Sequence, residues 1–327
     1  MDLDVVFLGT SGSAPTAQRA TSATLIRRGG ERLLVDCGEG TQRQLLRSDV
    51  GLVDLEHVFL THFHADHYLG LPGMLKTYAL RGRDVPLTIY GPAGLRDLYA
   101  SLRRVFGNLT YPVETVELAP GDVLRRNDYE IRAFAVDHGA QAVGYALAEE
   151  ERPGRFDVET ADDLGVPAGR ERGALQRGDP VTLPSGETVT PDQVLGPARP
   201  GRTVVLTGDT AAAASVVDAA TGADVLVHEA TFCADERERA RETQHSTAAE
   251  AALAAQAAGV RLLALTHISS RYFGGEAAEE ARQVFPDTVV PRDFDVIEIP
   301  FPERGSPALV KGGALEPAPE SVSSGPK

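Results

Sequence analysis

The stretch Thr61-His62-Phe63-His64-Ala65-Asp66-His67 places three histidines and one aspartate within six positions, in a chain of 327 residues that holds only eight histidines. It follows the apolar run Leu55 to Leu60, which reads as a buried strand. Neutral imidazoles beside a carboxylate are a ligand set for Zn²⁺, with Fe²⁺ or Mn²⁺ as alternatives. On a strand-to-turn segment His62 and His64 converge on one ion, while Asp66 and His67 face a second. A merely solvated loop has no reason to concentrate ligand types in this way.

Three distant residues repeat the same context. His138 follows the strand Tyr129 to Val136, Asp209 follows Thr203 to Thr207, and His267 follows Arg261 to Leu265. The carboxyl ends of strands are where layered α/β proteins keep their chemistry. The count then closes: His62, His64 and His138 hold one ion, Asp66, His67 and His267 hold another, and Asp209 bridges both. Two adjacent ions form a clamp for phosphate-ester hydrolysis. His57 lies inside the strand and has a structural reading. His228-Glu229 and His245 are candidates for proton donation, since a histidine held by a carboxylate is a good donor near neutral pH. His245 opens a helix with Ser246 or Thr247 as N-cap.

Outward from the cluster, the pattern alternates strands and helices. Leu3 to Leu8, Thr21 to Ile26, Arg32 to Val35, Pro86 to Tyr90, Val113 to Leu118, Val143 to Ala148, Ala223 to Val227 and Phe294 to Ile299 read as extended. Tyr68 to Leu80, Ala93 to Phe106, Ala211 to Ala220, Ser246 to Ala258 and Glu276 to Phe285 have helical spacing. From 149 to 200 the chain turns rich in Pro, Gly and charge, with little periodicity, and reads as an insertion projecting from the core. Residues 304–327 read as a disordered tail, so the expected domains are 1–303 and that tail. A net charge of −15 argues against nucleic acid taken globally, though it does not describe local patches. No run suits a membrane span, no signal peptide is evident, and two cysteines make no disulfide framework. A cytoplasmic protein is expected.

The cluster at 61–67, with Gly70, resembles the signature of the metallo-β-lactamase superfamily. Phe7-Leu8-Gly9-Thr10 with Pro15 and Arg19, the block Val35 to Gln44, His228-Glu229-Ala230-Thr231, His245-Ser246-Thr247 and Thr266 to Tyr272 narrow the resemblance to the ribonuclease Z family. That resemblance implies an αββα sandwich with an exosite arm, two Zn²⁺ per subunit with Mn²⁺ possible, a homodimer, and removal of the 3′ trailer from precursor tRNA. It implies Asp66 as ligand and general base, His245 oriented by Glu229 as acid, and Arg271 as a phosphate contact. It makes the arm a tRNA-binding element, with Arg170, Arg172 and Arg177 as a basic patch. The family usually has Gly-Pro where this chain has Gly169-Arg170, which leaves the arm's conformation there open. The competing readings are a phosphodiesterase or aryl sulfate hydrolase of small substrates on the same core, and an RNA-binding scaffold with a vestigial site.

Overall fold

The computed structural model describes residues 1–52 and 55–312. The chain divides into two compact units: one of residues 1–125, 131–147 and 203 onward, and a second of residues 126–130 and 148–202.

In the first unit the apolar runs become two mixed sheets. One sheet has eight strands, in the order Ala308–Val310, Val296–Glu298, Leu3–Gly9, Ala23–Arg28, Glu31–Val35, His57–Phe59, Leu87–Gly91 and Val113–Glu117. Its first strands are antiparallel and its last four parallel. The other sheet has seven strands, in the order Thr288–Val289, Leu262–Thr266, Val225–Glu229, Thr203–Leu206, Val143–Glu149, Tyr129–Ala135 and Val123–Arg125. Four of these, from Thr203–Leu206 to Thr288–Val289, run parallel. Parallel strands are buried on both faces, which explains why Leu262–Leu265 and Val225–His228 read as continuous rather than alternating runs.

Helices cover each sheet. Leu71–Leu80 and Leu95–Phe106 bury Leu71, Met74, Leu75, Leu95 and Phe106 against the first. Ala248–Ala258 buries five alanines against the second, and Thr247 and Glu250 form a reciprocal capping box at its start. The helices start within three residues of their expected positions. Short elements such as Thr41–Arg47 and Val123–Arg125 carry too few periods to be read in advance. No helix among the described residues is long and apolar enough to cross a membrane.

Two expectations are corrected. The tail does not lose structure at 304, because Ala308–Val310 pairs antiparallel with Val296–Glu298. A three-residue strand amid Pro, Gly and Ser is too short to leave a periodic trace. The rest of the expected disordered tail, 313–327, lies outside the described residues. The stretch 149–200 is also not structureless. It holds helices Val158–Asp163, Arg170–Gln176 and Pro191–Val194 and the hairpin Val181–Thr182 with Thr188–Val189. Asp157 caps the first helix by accepting from Thr160 N at 3.0 Å. Ala161, Val166, Leu175, Leu183, Val189 and Val194 form the unit's own small core. At its two chain ends Arg202 grips Glu149 with two parallel bonds of 2.8 Å, almost fully buried.

Candidate metal centre

Five of the seven ligand candidates sit just beyond a strand, and Asp66 and His67 lie on the short helix Ala65–Tyr68. His62 and His64 follow His57–Phe59, and His138 follows Tyr129–Ala135. Asp209 follows Thr203–Leu206, and His267 ends the run after Leu262–Thr266. Gly208, between strand and ligand, has φ 63°, and a Cβ there would lie 2.7 Å from that of Thr61. Only glycine lets the turn approach the cluster so closely.

The seven residues meet as two groups. His62, His64, His138 and Asp209 form one, Asp66, His67 and His267 the other, each with ligand atoms within 4.8 Å of one another. His64 Nδ1 is 3.0 Å from His62 Nε2 and 3.2 Å from His138 Nε2. His67 Nε2 and His267 Nε2 are 3.3 Å apart. Asp209 spans the groups: its Oδ2 lies 3.6 Å from His62 Nε2 and 3.3 Å from His67 Nε2, and its Oδ1 lies 3.4 Å from His267 Nε2.

Outer partners decide which ring nitrogens carry protons. Thr61 Oγ1 gives its one proton to the Asp36 carboxylate, so it accepts from His62 Nδ1 at 3.1 Å. Thr231 Oγ1 donates to Glu229 Oε2 at 2.6 Å and accepts from His267 Nδ1 at 2.9 Å. His67 Nδ1 donates to Asp36 at 2.8 Å, and His138 Nδ1 to the Gln244 carbonyl at 3.0 Å. In all four rings Nε2 is thereby the nitrogen aimed into the site, free to serve as a ligand once any proton there is displaced. Facing ring nitrogens at 3.3 Å need a proton or a metal ion between them. Two ligand atoms on a tetrahedral ion with bonds of ~2.0–2.1 Å are themselves ~3.3 Å apart. Asp209 Oδ1 is buried without a hydrogen-bond partner, which a metal bond would supply. The donor set fits metal ions.

The electrostatics agree. Burial would depress His67, but the Asp209 and Asp36 carboxylates raise it well above the ordinary imidazole value. The pocket therefore calls for positive charge at this point. Burial, reinforced by the neighbouring imidazoles, lowers His62 to about 2 and keeps it a neutral donor. Burial would raise Asp66 and Asp209, but the facing histidines hold both carboxylates below the usual range.

Backbone strain gathers here as well. Of the non-glycine residues at positive φ among the described residues, Ser13, Asp36, Gln244 and His267 all touch the centre, and the other is Phe294. Such conformations cost on the order of 1–3 kcal/mol and persist where surrounding structure imposes them. Ser13 N donates to Asp66 Oδ2 at 2.8 Å.

His245 stands beside the centre, stacked on His267 at 5.5 Å. Its Nδ1 donates to Glu229 Oε1 at 2.8 Å, and that carboxylate also accepts from Thr210 N and Thr231 N. Burial would lower His245, but the charge and hydrogen bond of Glu229 raise it to about 9. His228 is buried, donates to the Glu229 carbonyl at 2.7 Å, and takes no part in the ligand groups. His57 packs against Tyr90, as a structural residue does.

The expected arginine contacts fare unevenly. Arg172 Nε and Nη2 donate to the Val166 carbonyl, and Nη2 also pairs with Asp162, so this guanidinium braces the second unit from within. The expected three-arginine patch shrinks to Arg170 and Arg177, both exposed. Gly169 takes φ 105° immediately before the helix that Arg170 opens, a backbone conformation that favours glycine. Arg271 is part-exposed and pairs with Glu236 at 3.4 Å. Asp36, Thr61, Thr231 and Gln244 were not singled out as site residues, because hydroxyls and carbonyls have no sequence spacing of their own.

Comparison with known proteins places this geometry. The model of the metallo-β-lactamase superfamily matches residues 16–242. Ribonuclease Z of Natronomonas pharaonis is 49% identical over 312 residues, covering 93% of this chain and 100% of that protein. Ribonuclease Z of Methanosarcina acetivorans is 46% identical over 303 residues, covering 91% and 99%. The crystal structure of human tRNase Z, short form, superposes with a TM-score of 0.67 at 28% identity, covering 91% of this chain and 99% of that one. The chain belongs to the metallo-β-lactamase superfamily and, within it, to the ribonuclease Z family of hydrolases.

Proposed function

We propose that the protein is an endoribonuclease that removes the 3′ trailer from precursor tRNA, working with two Zn²⁺ or Mn²⁺ ions. One observation carries it: two ligand groups joined by Asp209, with the His245–Glu229 pair alongside. Similarity over nearly the whole chain to proteins named ribonuclease Z supports precursor tRNA over small esters. His62, His64 and His138 would hold one ion, Asp66, His67 and His267 the other, and Asp209 both. When bound, the ions lower the pKa of a shared water and offset charge on the phosphate.

The chain's own residues do the rest. Asp66, kept ionised, accepts a proton from the attacking water while Ser13 N fixes its orientation. A water oxygen bonds to phosphorus as the bond to the 3′-oxygen of the tRNA breaks. His245 delivers a proton to that oxygen, and Glu229 keeps the imidazole charged until then. The products are a tRNA 3′-hydroxyl and a 5′-phosphorylated trailer. The arm at 149–200 serves as the tRNA exosite through Arg170 and Arg177, with Arg271 on a phosphate, in a cytoplasmic homodimer. The family resemblance supports these last features, and light scattering tests the dimer.

The experiment is cleavage of trailer-bearing precursor tRNA by purified protein with Zn²⁺ or Mn²⁺. A product ending in a 3′-hydroxyl is expected. Turnover of only a chromogenic bis-phosphodiester would replace tRNA with a small substrate. Tight RNA binding without cleavage, metal loaded, would leave only a scaffold. Deleting residues 150–200 should spare small-ester hydrolysis and cost tRNA affinity.

A further inference from the structure

Beside the metal centre lies a cavity of about 860 Å³ whose chemistry the mechanism above leaves unused. Arg43 and Arg47 from helix Thr41–Arg47 line it, with Arg292, Phe273 and Phe294 from the far end of the chain. Arg43, Arg47 and Arg292 are exposed, although the chain as a whole carries a net charge of −15. Of the two lining acids, Asp293 is already engaged: its carboxylate accepts from Thr10 Oγ1, Ala20 N and Gln44 Nε2 at 2.7–2.8 Å. Glu39 is the other. Arg47 lies over the Phe294 ring at 5.2 Å, and Phe294 is the remaining non-glycine residue held at positive φ. Phe273 is 80% exposed at the rim. A large exposed aromatic beside several arginines has no packing purpose. It is the combination that grips single-stranded nucleic acid, with bases on the ring and phosphates on the guanidiniums.

The cavity communicates with the chemistry through one loop. Thr16 to Ala20 forms part of its wall, and the same loop binds Asp66 through Ser13 N and Ile268 O through Gly12 N. We propose that this cavity holds the single-stranded trailer just beyond the cut, with phosphates on Arg43, Arg47 and Arg292 and a base on Phe273. The proposal rests on the function proposed above for the choice of RNA. In that mechanism the leaving 3′-oxygen of the tRNA body goes to His245, whereas this loop attaches to Asp66. The phosphate-bearing product is therefore the strand led toward the cavity.

The test uses the full-length protein and a 5′-phosphorylated hexaribonucleotide, with binding read by fluorescence anisotropy over a salt series. Phe273→Ala should weaken binding about tenfold. Arg43→Gln, Arg47→Gln and Arg292→Gln should each flatten the log K against log salt slope by about 0.7. With precursor tRNAs, the same variants should raise KM more for a six-nucleotide trailer than for a one-nucleotide trailer. Unchanged hexanucleotide affinity in all four variants would overturn the proposal. Equal losses for both trailer lengths would assign the cavity to the tRNA body and overturn it too. A change in molecular mass without a change in RNA affinity would make the patch a subunit interface. Phe273 is too exposed for its loss to unfold the chain, so a null result there is informative. Oligonucleotide binding needs no cleavage, so a protein that binds the hexamer here but cuts no precursor would sink the proposed function and not the cavity.

Discussion

The candidate metal centre and the unit of residues 126–130 and 148–202 spend their polar groups in opposite ways. At the centre, side chains with strong preferences are each pinned by a second residue: His62 by Thr61, His67 by Asp36, His267 by Thr231 and His138 by the Gln244 carbonyl. Their remaining ring nitrogens point at one another, an arrangement that a bound metal ion makes favourable. In the other unit the buried charges for which partners are seen pair within the unit, while Arg170 and Arg177 stay exposed. Arg172 is spent on Asp162 and Val166, Arg202 on Glu149, and a core of six apolar residues holds the rest. The lesson is that unsatisfied convergence marks chemistry, whereas satisfied charge marks architecture, even where both involve arginine or aspartate.

The sharpest way to break this contrast is to remove the bridge. Asp66→Ala or Asp209→Ala, or chelation of the metal, should lower kcat by at least ~1000-fold, since several kcal/mol of charge stabilisation disappear together. Single-turnover cleavage of precursor tRNA measures it, and substantial residual activity in Asp66→Ala would exclude its role as base. His245→Ala comes next, with a loss of roughly 10²- to 10⁴-fold in kcat. Its companion Glu229→Gln reports on positioning. His245 is raised from 6.5 to about 9, so it carries its proton across neutral pH and releases it as pH climbs through about 9. Without the Glu229 charge, the alkaline fall in kcat should move to lower pH, and an unmoved profile would separate the two residues.

Asp36→Asn tests the pinning itself. The amide cannot accept from Thr61 and His67 as the carboxylate does, and metal affinity should drop by roughly 10- to 100-fold. Competition with a chromogenic chelator reads this directly, and unchanged affinity would show that the partners of the ligands do not matter. The smallest effect is expected in the other unit. Arg172→Ala should destabilise it by on the order of 1 kcal/mol, because its Asp162 partner is largely exposed. Hydrogen exchange confined to 148–202 should detect that change while metal content stays constant. Loss of RNA affinity with no change in exchange would return Arg172 to the role of a phosphate contact.

All seven ligand candidates could be named from residue type and position, and the family resemblance implied the pairing of His245 with Glu229. Imidazoles and carboxylates following apolar strands are scarce, and their chemistry narrows the choice. The strands and longer helices were equally legible, because a buried strand or an amphipathic helix must repeat its apolar residues. Tertiary structure alone decided which nitrogen of each histidine faces inward, since that depends on Thr231, Asp36 and the Gln244 carbonyl arriving from distant segments, Asp36 also taking the proton of Thr61 beside His62. It also turned Arg172 inward, paired Ala308–Val310 with its neighbour, and gathered Arg43, Arg47 and Arg292 around one cavity. Such outcomes depend on short elements and generic charges, whose partners lie anywhere from six to hundreds of residues away. Local sequence carries no record of those distances.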